Sequence, residues 1–490
     1  MLNPLANATG KALNVLITIA STCGFILFGY DNALFSGLIV NPWFLETFNH
    51  PSATLTGTVS ATYNLGGFAG GVIAFFIGDF LGRRRTILTG IAITTIGTVP
   101  FAAATNISQL LAGRIVTGIG VGVMSSTVGL WQAETTRARS RGAYLVGQLL
   151  YGATLGLFLA QWINYGFYDH TGRVTFAFPV AFQLVFLLTA TVLILGLPES
   201  PRWLAKKGQI DEARSVLLRL SEDDAEERLG QILNAAAMEK HNSQYRALFT
   251  GGPTQNFRRL ALACGVMIMH QLTGVNSITY YLPTLLRTFI NTGHKETLWI
   301  AGLSSVVSAL FTLVAIFTVD RFGRKPYLLW GSVWQCALFF IIAALLATAP
   351  PENRSFGIAA VAMLFLWYGT FSLAWLGQSW AYPAEILPLA IREKGLAIGN
   401  IWYWLFQFMM VEVTPIAIKN IYWRFYVILA VFNLCIAVII WLCYPETARM
   451  TLEDLDFMFA RRHEFDGQGV LSPSLHEAET GSATLEKRSV

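Results

Sequence analysis

The sequence predicts an all-α integral membrane protein with twelve transmembrane helices arranged as two pseudo-symmetric six-helix bundles. Three observations predict this fold class: the composition, the number of apolar runs and an internal repeat. Of the 490 residues, 54% are hydrophobic and only 13% are charged, and the mean hydropathy is +0.51. A soluble chain cannot bury so much apolar surface, whereas a lipid bilayer accommodates it.

Windows of about 20 residues identify twelve apolar runs that are long enough to cross a bilayer. The first six lie near 13–38, 57–80, 86–104, 107–131, 143–165 and 177–197, and the second six lie near 260–286, 297–319, 327–348, 357–381, 396–418 and 425–443. An even number of spans places both termini on one side. The loops after spans 2, 4, 8 and 10 contain more Arg and Lys than the opposite loops. The positive-inside rule therefore places both termini in the cytoplasm.

The spans divide the chain into four parts. We expect an N-terminal six-helix bundle over 1–197, a cytoplasmic linker with short amphipathic helices over 198–259, a C-terminal six-helix bundle over 260–444, and a largely disordered cytoplasmic tail over 445–490. The five cysteines all fall within apolar runs and lack metal-ligand spacing, which indicates packing residues. No catalytic or metal-binding constellation is evident, so we expect neither enzymatic chemistry nor a cofactor.

Three motifs recur in the two halves at a nearly constant offset. DFLGRR at Asp79 matches DRFGRK at Asp320, AETTRARSRG at Ala133 matches AEILPLAIREKG at Ala384, and PES at Pro198 matches PET at Pro445. The motifs follow spans 2 and 8, spans 4 and 10, and spans 6 and 12. A duplicated six-helix unit is typical of two-bundle transporters, whose binding site lies between the halves near the membrane midplane.

Eight motifs carry a resemblance to a known family. They are GYD at Gly29, GRR at Gly82, RIVTGIGVG at Arg114, PESPRWL at Pro198, QLTGVNSITYY at Gln271, DRFGRK at Asp320, YPAEI at Tyr382 and YPET at Tyr444. Together they resemble the sugar porters of the major facilitator superfamily, and fungal members in particular, over nearly the whole chain. The resemblance implies the major facilitator fold and transport by alternating access.

Asp31 lies inside the first predicted span, in the segment FILFGYDNALFSG. A charge at the centre of a membrane helix costs about 2.5–3.5 kcal/mol on insertion scales, so such residues generally pair or line a cavity. At a rise of about 1.5 Å per residue, Asp31 and Arg114 of span 4 lie at matching depths. We expect them to form a proton-coupling site, and the resemblance associates an acid in the GYD motif with proton-coupled sugar porters. A purely structural ion pair is the alternative.

Glu412 is a second embedded acid, late in span 11 and close to the outer surface. Its position favours a rim or structural role. It remains the second candidate for the proton site.

Residues at the midplane suit a polyhydroxylated solute. Amide groups donate and accept hydrogen bonds to vicinal hydroxyls, and indole rings cover the C–H face of a sugar. The candidate substrate-binding residues are Gln148, His270, Gln271, Asn276, Trp380, Tyr403, Trp404 and Gln407. The resemblance implies sugar contacts for Gln148, Gln271, Asn276, Trp380 and Trp404. The alternative is that such residues only pack helices together.

Several positions depart from the family pattern. His270 replaces a glutamine, Leu155 replaces another, and Leu376 stands in the usual Gly-Pro pair. Tyr403 and Gln407 stand where asparagines are common. These departures argue against ordinary glucose specificity and leave a polyhydroxylated solute as the expectation.

Charged residues gather on the predicted cytoplasmic side. Glu134 and Arg141 are seven residues apart, and Glu385 and Arg392 repeat this spacing. We expect salt bridges between the bundles that hold the outward-open state and break when the inside opens. The alternative is that these charges serve only as topology signals. The gate candidates are Asp79, Arg83, Arg84, Glu134, Arg141, Glu199, Arg202, Asp320, Arg324, Glu385, Arg392 and Glu446.

The sequence therefore predicts a monomeric plasma-membrane transporter that imports a sugar or polyol, with a proton as the second ligand and the bilayer as its environment. Nucleic acid is not expected as a partner. Three alternatives stay open: a proton-independent sugar facilitator, an exporter of a fungal metabolite, and a sugar sensor. Sensors of this kind usually carry a long signalling tail, and the tail from Pro445 to Val490 is short.

Overall fold

The computed structural model describes residues 8–136, 138–220, 225–241, 247–251, 255–290, 293–348, 354–388, 391–448, 450 and 452–459. Within its helices, the side chains of 138–151, 234–241, 320, 452–454 and 456 are not described. Across these ranges the regular secondary structure is α-helical, and no strand occurs in them.

The first half and the linker contain eleven helices in the described ranges. They are α1 (Gly10–Leu38), α2 (Pro42–Thr47), α3 (Ala53–Leu81), α4 (Arg83–Ala102), α5 (Ile107–Thr135), α6 (Ala138–Phe167), α7 (Val174–Ala181), α8 (Gln183–Gly196), α9 (Pro201–Lys206), α10 (Ile210–Leu220) and α11 (Ala225–His241). The last three lie in the predicted linker.

Ten further helices follow in the described part of the second half. They are α12 (Asn256–Leu272), α13 (Val275–Thr279), α14 (Leu282–Ile290), α15 (His294–Phe322), α16 (Arg324–Thr348), α17 (Arg354–Ala374), α18 (Gln378–Ile386), α19 (Arg392–Ile421), α20 (Arg424–Cys443) and α21 (Leu452–Phe459).

The predicted all-helical membrane fold is confirmed. In the described residues, 11 segments are long and apolar enough to cross a membrane. The segment expected as span 5 forms α6, a helix of 30 residues. The segments expected as spans 6, 7 and 10 are interrupted helices, and the seventh breaks at Gly274, whose φ of 94° favours glycine.

Small residues let the helices of one bundle pack closely. A Cβ atom at Gly66 or Gly70 of α3 would collide with the backbone carbonyls of Ile115 and Ile119 on α5. Glycine at these positions therefore allows α3 and α5 to meet backbone to backbone, as in other membrane helix pairs.

The two halves meet along a seam of helix contacts. α3 packs against α19, α6 packs against α15, and α1 contacts α13 and α14. The seam runs from the side that carries Arg83 and Arg324, which we call the basic face, to the opposite face.

Part of the predicted tail lies within the described residues. Residues 452–459 form α21, and Phe459 is buried beneath the guanidinium groups of Arg258 and Arg259, 5.7 and 4.9 Å from its ring centroid. Cation–π contacts of the two guanidinium groups with the Phe459 ring hold this segment against the second bundle. The rest of the predicted disordered tail, 460–490, lies outside the described residues.

Candidate functional site

Asp31 is buried in the middle of α1, with 1% of its surface exposed. Neither carboxylate oxygen has a hydrogen-bond partner within the described part of the chain. Tyr63 of α3 and Arg114 of α5 are among the groups that lie near enough to interact electrostatically with it. An ionised carboxylate without hydrogen-bond donors is costly at such a site, whereas a neutral carboxyl is tolerated.

The guanidinium group of Arg114 donates hydrogen bonds to α3 and packs against aromatic rings. Its Nε donates to the Val59 carbonyl at 2.7 Å and its Nη2 donates to the Ser60 carbonyl at 2.9 Å. The guanidinium carbon lies 4.2 Å from the Phe35 ring centroid and 5.3 Å from that of Tyr63. These contacts hold the cation against α3 without a carboxylate.

The structure therefore brings Asp31 and Arg114 into one region but not into contact. In this conformation no ion pair joins Asp31 and Arg114, both of which are described. Arg114 finds its partners in the α3 carbonyls, and its Nη1 has none within the described residues.

His270, Gln271 and Asn276 lie where α12 ends and α13 begins. His270 Nδ1 is 2.6 Å from the Ser379 hydroxyl of α18, and the Gln271 side-chain oxygen accepts from the Asn276 amide. The Gln271 Nε2 is buried and has no partner in the described residues. These side chains form the second bundle's polar lining at the seam.

Aromatic rings from both bundles cover the same region. Phe28 of α1 lies 6.4 Å from Trp380, 6.1 Å from Tyr403 and 5.6 Å from Trp404, measured between ring centroids. Trp404 also contacts Tyr63 of the first bundle at 5.8 Å. The sequence predicted Tyr403 and Trp404 near one depth, and the structure brings them together with Phe28 and Tyr63 across the seam.

Four buried polar residues form one hydrogen-bonded group across the seam, and of these four only Gln407 was among the sequence candidates. The Tyr280 hydroxyl lies 2.9 Å from Asn32 Oδ1 and 3.1 Å from Asn64 Oδ1. Gln407 Nε2 donates to Asn32 Oδ1 at 2.9 Å. We call Asn32, Asn64, Tyr280 and Gln407 the seam node. Embedded amides inside predicted spans were the signal that could have found the first two.

Three candidates cannot be placed by their side chains. Gln148 and Arg141 lie on α6, and Asp320 lies on α15, where the backbone is helical but these side chains are outside the described residues.

On the basic face, most predicted ion pairs form within one bundle. Arg83 donates to both oxygens of Glu134, at 3.0 and 3.2 Å. The second half repeats this arrangement, because Arg324 pairs with Glu385 at 2.9 Å. Arg392 donates to the Leu387 carbonyl of its own bundle, at 3.1 and 3.0 Å.

Glu199 and Glu446 cap the helices that follow the repeated glycines. Glu199 accepts from the backbone N–H groups of Arg83 and Arg84, with Arg83 N at 3.0 Å. Glu446 accepts from the Arg324 N–H at 2.9 Å and from the next residue at 3.1 Å. Such carboxylates satisfy the unpaired N–H groups at a helix start. Burial raises the pKa of Glu199, and the backbone N–H donors oppose that rise.

Arg84 and Arg202 complete the predicted set. The Arg84 guanidinium donates to the Ile194 and Leu195 carbonyls at the end of α8, at 2.9 and 2.6 Å. Arg202 lies on α9, directly after the Glu199 cap. Both belong to the first bundle and its linker.

Two residues that sequence reasoning missed make ion pairs across the seam on the basic face. Glu393 Oε1 lies 2.8 Å from Arg83 Nη2, and Lys394 Nζ lies 2.7 Å from Asp79 Oδ2. Lys394 also donates to the Phe75 carbonyl at 3.1 Å. We call these pairs the basic-face latch. Glu393 and Lys394 follow Arg392 in the motif REKG, whereas Arg141 in the first half is followed by Gly142 and Ala143. This difference between the two repeats was the sequence signal that could have identified both residues.

The opposite face of the seam is also closed. The Thr58 hydroxyl of α3 donates to Glu412 Oε1 of α19 at 2.8 Å, and a Cβ at Gly57 would meet Pro415 at 2.8 Å. The other oxygen of Glu412 is buried without a partner in the described residues. Glu412 thus lies at the seam, on the face opposite the basic face. Because the seam has contacts on both faces, this conformation is occluded.

The chain is similar to known proteins in both sequence and structure. Residues 16–459 match the model of the family described as "Sugar (and other) transporter". The chain is 36% identical over 466 residues to the MFS-type transporter oryC of Aspergillus oryzae, covering 92% of this chain and 86% of that protein. It is 34% identical over 481 residues to the sugar transporter STL1 of Saccharomyces cerevisiae, covering 93% of this chain and 83% of that protein.

Among solved structures, the proton:xylose symporter XylE bound to 6-bromo-6-deoxy-D-glucose superposes with a TM-score of 0.78. The two chains are 26% identical, and the match covers 92% of this chain and all of XylE. The family match spans both bundles and the linker, and the structural match spans the whole fold. The chain therefore belongs to the sugar transporter family of the major facilitator superfamily, and it is a multi-pass membrane transporter rather than an enzyme.

Proposed function

We propose that this protein imports a sugar or polyol across the plasma membrane by alternating access, in symport with a proton carried by Asp31. The observation that carries the proposal is the burial of Asp31, without a cation in contact, beside a seam lined by amides and aromatic rings. Similarity to a proton:xylose symporter and to a sugar transporter supports the same reading.

The proton step uses Asp31 and Arg114. In the occluded conformation the neutral carboxyl leaves Arg114 bound to the Val59 and Ser60 carbonyls of α3. Once the proton leaves, the carboxylate attracts the guanidinium, and those two hydrogen bonds weaken. Because α3 packs against α19 across the seam, proton release biases the contacts between the bundles.

The membrane potential supplies enough free energy for uptake. A proton that enters across about 100 mV releases about 2.3 kcal/mol. That free energy supports a solute gradient of about fifty-fold.

The solute is proposed to bind at the midplane of the seam. Gln271, Asn276 and Gln407 offer amides, Trp380 and Trp404 offer rings, and His270 and Tyr403 complete the wall on the second bundle. Gln148 is proposed on the family resemblance alone. Amide hydrogen bonds to hydroxyls and ring contacts to C–H groups are the interactions that a polyhydroxylated solute requires.

The gate and the orientation belong to the same proposal. We place the basic face in the cytoplasm by the positive-inside rule. The basic-face latch then opens toward the cytoplasm, and the Thr58–Glu412 contact opens toward the outside.

The test is uptake of labelled sugars and polyols in a transport-deficient yeast, comparing wild type with Asp31→Asn across external pH. We expect wild-type uptake to rise at acidic pH and to collapse with an uncoupler. Asp31→Asn should retain solute exchange while losing accumulation, since a permanently neutral amide cannot release a proton.

Glu412→Gln is the matched control, because it neutralises the other acid at the seam. Loss of coupling in Glu412→Gln alone would move the proton site to Glu412. Uptake that is insensitive to pH and uncoupler in wild type would instead indicate a facilitator. Loss of metabolite secretion on gene deletion, with sugar uptake intact, would indicate an exporter.

A further inference from the structure

The seam node contains more hydrogen-bonding capacity than its own residues satisfy. The Tyr280 hydroxyl faces two amide oxygens, on Asn32 and Asn64, yet a hydroxyl has one proton and donates to one acceptor at a time. Asn32 Oδ1 also accepts from Gln407 Nε2. Asn64 is therefore the residue that competes for a proton already offered to Asn32.

Two amide ends at the node have no partner within the described part of the chain. They are Asn64 Nδ2 and Gln407 Oε1, and both are buried. Whichever way the Asn64 amide is turned, one end faces Tyr280 and the other faces none of the described polar groups. A buried polar group without a partner costs about 1–3 kcal/mol, so its presence at the seam calls for a function.

The unpartnered atoms continue along the neighbouring wall. Gln271 Nε2 and Trp404 Nε1 are likewise buried without partners in the described residues. The seam thus presents three donors and one acceptor from both bundles. A hydroxyl group satisfies either type, because it donates one hydrogen bond and accepts up to two. A vicinal diol supplies both an acceptor for the Asn64 Nδ2 donor and a donor for the Gln407 Oε1 acceptor.

The first bundle contributes its amides next to its proton residues. Asn32 follows Asp31 on α1, and Asn64 follows Tyr63 on α3. Asp31 and Tyr63 lie beside Arg114 of the first bundle, whereas the asparagine side chains hydrogen-bond to the second bundle. Adjacent residues of the same two helices therefore face the proton site and the seam.

We propose that Asn32 and Asn64 are specificity-determining residues that bind the solute from the first bundle. When the solute occupies the seam, their amides exchange Tyr280 and Gln407 for solute hydroxyls. The inference rests on the proposed function, and it assigns the recognition of at least one hydroxyl to the first bundle. Without solute, the same amides bind Tyr280 and Gln407 and close the seam.

The experiment is a competition panel in transport-deficient yeast. Uptake of a labelled substrate is inhibited by analogues that each lack or invert one hydroxyl, in wild type, Asn32→Ala and Asn64→Ala. A site built to hydrogen-bond a hydroxyl strongly rejects the analogue that lacks it. We expect each variant to lose about tenfold or more of the discrimination at one hydroxyl position, while discrimination at the other positions is kept.

Asn433→Ala is the matched control. Asn433 is a buried asparagine inside the second bundle, where it donates to the Thr273 and Leu429 carbonyls, and its Oδ1 is also without a described partner. Its loss should lower the amount of transporter in the membrane without changing the ranking of analogues. If the alanine variants fail to reach the membrane, Asn32→Ser and Asn64→Ser are ranked instead.

The outcomes are distinct. Wild-type uptake with an unchanged analogue ranking in the variants overturns this inference and leaves the proposed function intact. No uptake of any polyhydroxylated solute by wild type overturns the proposed function and this inference with it. A ranking changed at one hydroxyl in Asn32→Ala or Asn64→Ala, but not in Asn433→Ala, supports it.

Discussion

A single glycine makes room for the ring at the centre of the seam. A Cβ atom at Gly67 of α3 would lie 2.5 Å from a ring carbon of Trp404 on α19, far inside van der Waals contact. The indole is fully buried and packed against Tyr63 and Phe28, so it cannot turn away freely. Glycine at this position is therefore required for closure of the seam rather than for the helix itself.

Gly67→Ala should hinder the occluded conformation. Overpacking of this kind costs about 1–3 kcal/mol, which lowers the occluded population about fivefold or more. We expect a lower maximal uptake rate at unchanged surface expression. Gly78→Ala on the same helix is the control, because a Cβ there meets nothing within 4 Å. Equal maximal uptake rates for Gly67→Ala and Gly78→Ala would show that the Trp404 ring moves aside without a cost in free energy.

The N-terminus of α19 is the element that connects the bundles on the basic face. Its consecutive residues Glu393 and Lys394 form ion pairs with Arg83 and Asp79. Each bundle therefore contributes one acidic and one basic side chain to the two pairs. Arg83 is buried, with 2% of its side chain exposed, and also pairs with Glu134. Partly exposed pairs are worth about 0–1 kcal/mol each, so the latch biases opening without preventing it.

A double-mutant cycle on Asp79→Asn and Lys394→Met tests the latch. Each single change should speed opening toward the basic face, and the double variant should open no faster than the single ones, because both remove one interaction. Opening is measured by thiol labelling of Ala397→Cys, which lines the crevice beside the latch. The labelling cysteine is introduced into a variant in which the exposed Cys435 and Cys443 are both replaced, so that they do not react.

Lys206→Met is the control for this cycle. Lys206 Nζ lies 3.7 Å from Asp79 Oδ1 but belongs to the linker helix α9 rather than to the second bundle. Its loss should leave labelling of Ala397→Cys near the wild-type rate. Strictly additive effects of the two seam variants would argue against a direct Asp79–Lys394 interaction.

At the scale of the whole molecule, contacts close the seam on both faces. Thr58 and Glu412 meet on the opposite face, and Ser126 and Asn400 meet at 2.7 Å on the side of the basic face. Alternating access requires that each set breaks in turn while the other holds. The occluded conformation is then an intermediate through which each transport cycle passes.

Disulfides across the seam should stop the cycle. Thr58→Cys with Glu412→Cys, and Ser126→Cys with Asn400→Cys, should each block uptake after oxidation and recover with a reductant. The single-cysteine variants are the controls. Continued uptake with either pair cross-linked would contradict rigid-body opening at that face.

The sequence by itself determined the fold class and most of the chemistry. Apolar length dictates membrane helices, and the repeat of Asp79 with Asp320 and of Pro198 with Pro445 dictates two bundles. The same patterns placed Asp31 and Arg114 at matching depths, and Tyr403 and Trp404 near the midplane. These properties are local, because a span or a motif depends on neighbours in the chain.

Only the tertiary structure decided which side chains meet across the seam. Arg114 binds α3 carbonyls instead of Asp31, and Glu393 and Lys394 form the cross-bundle pairs expected of Glu134 and Glu385. The tail segment 452–459 is helical because Phe459 finds a docking site on the second bundle. Depth along a helix can be read from residue number, but the direction a side chain faces depends on helix rotation and packing. Those are set by long-range contacts that no local pattern records.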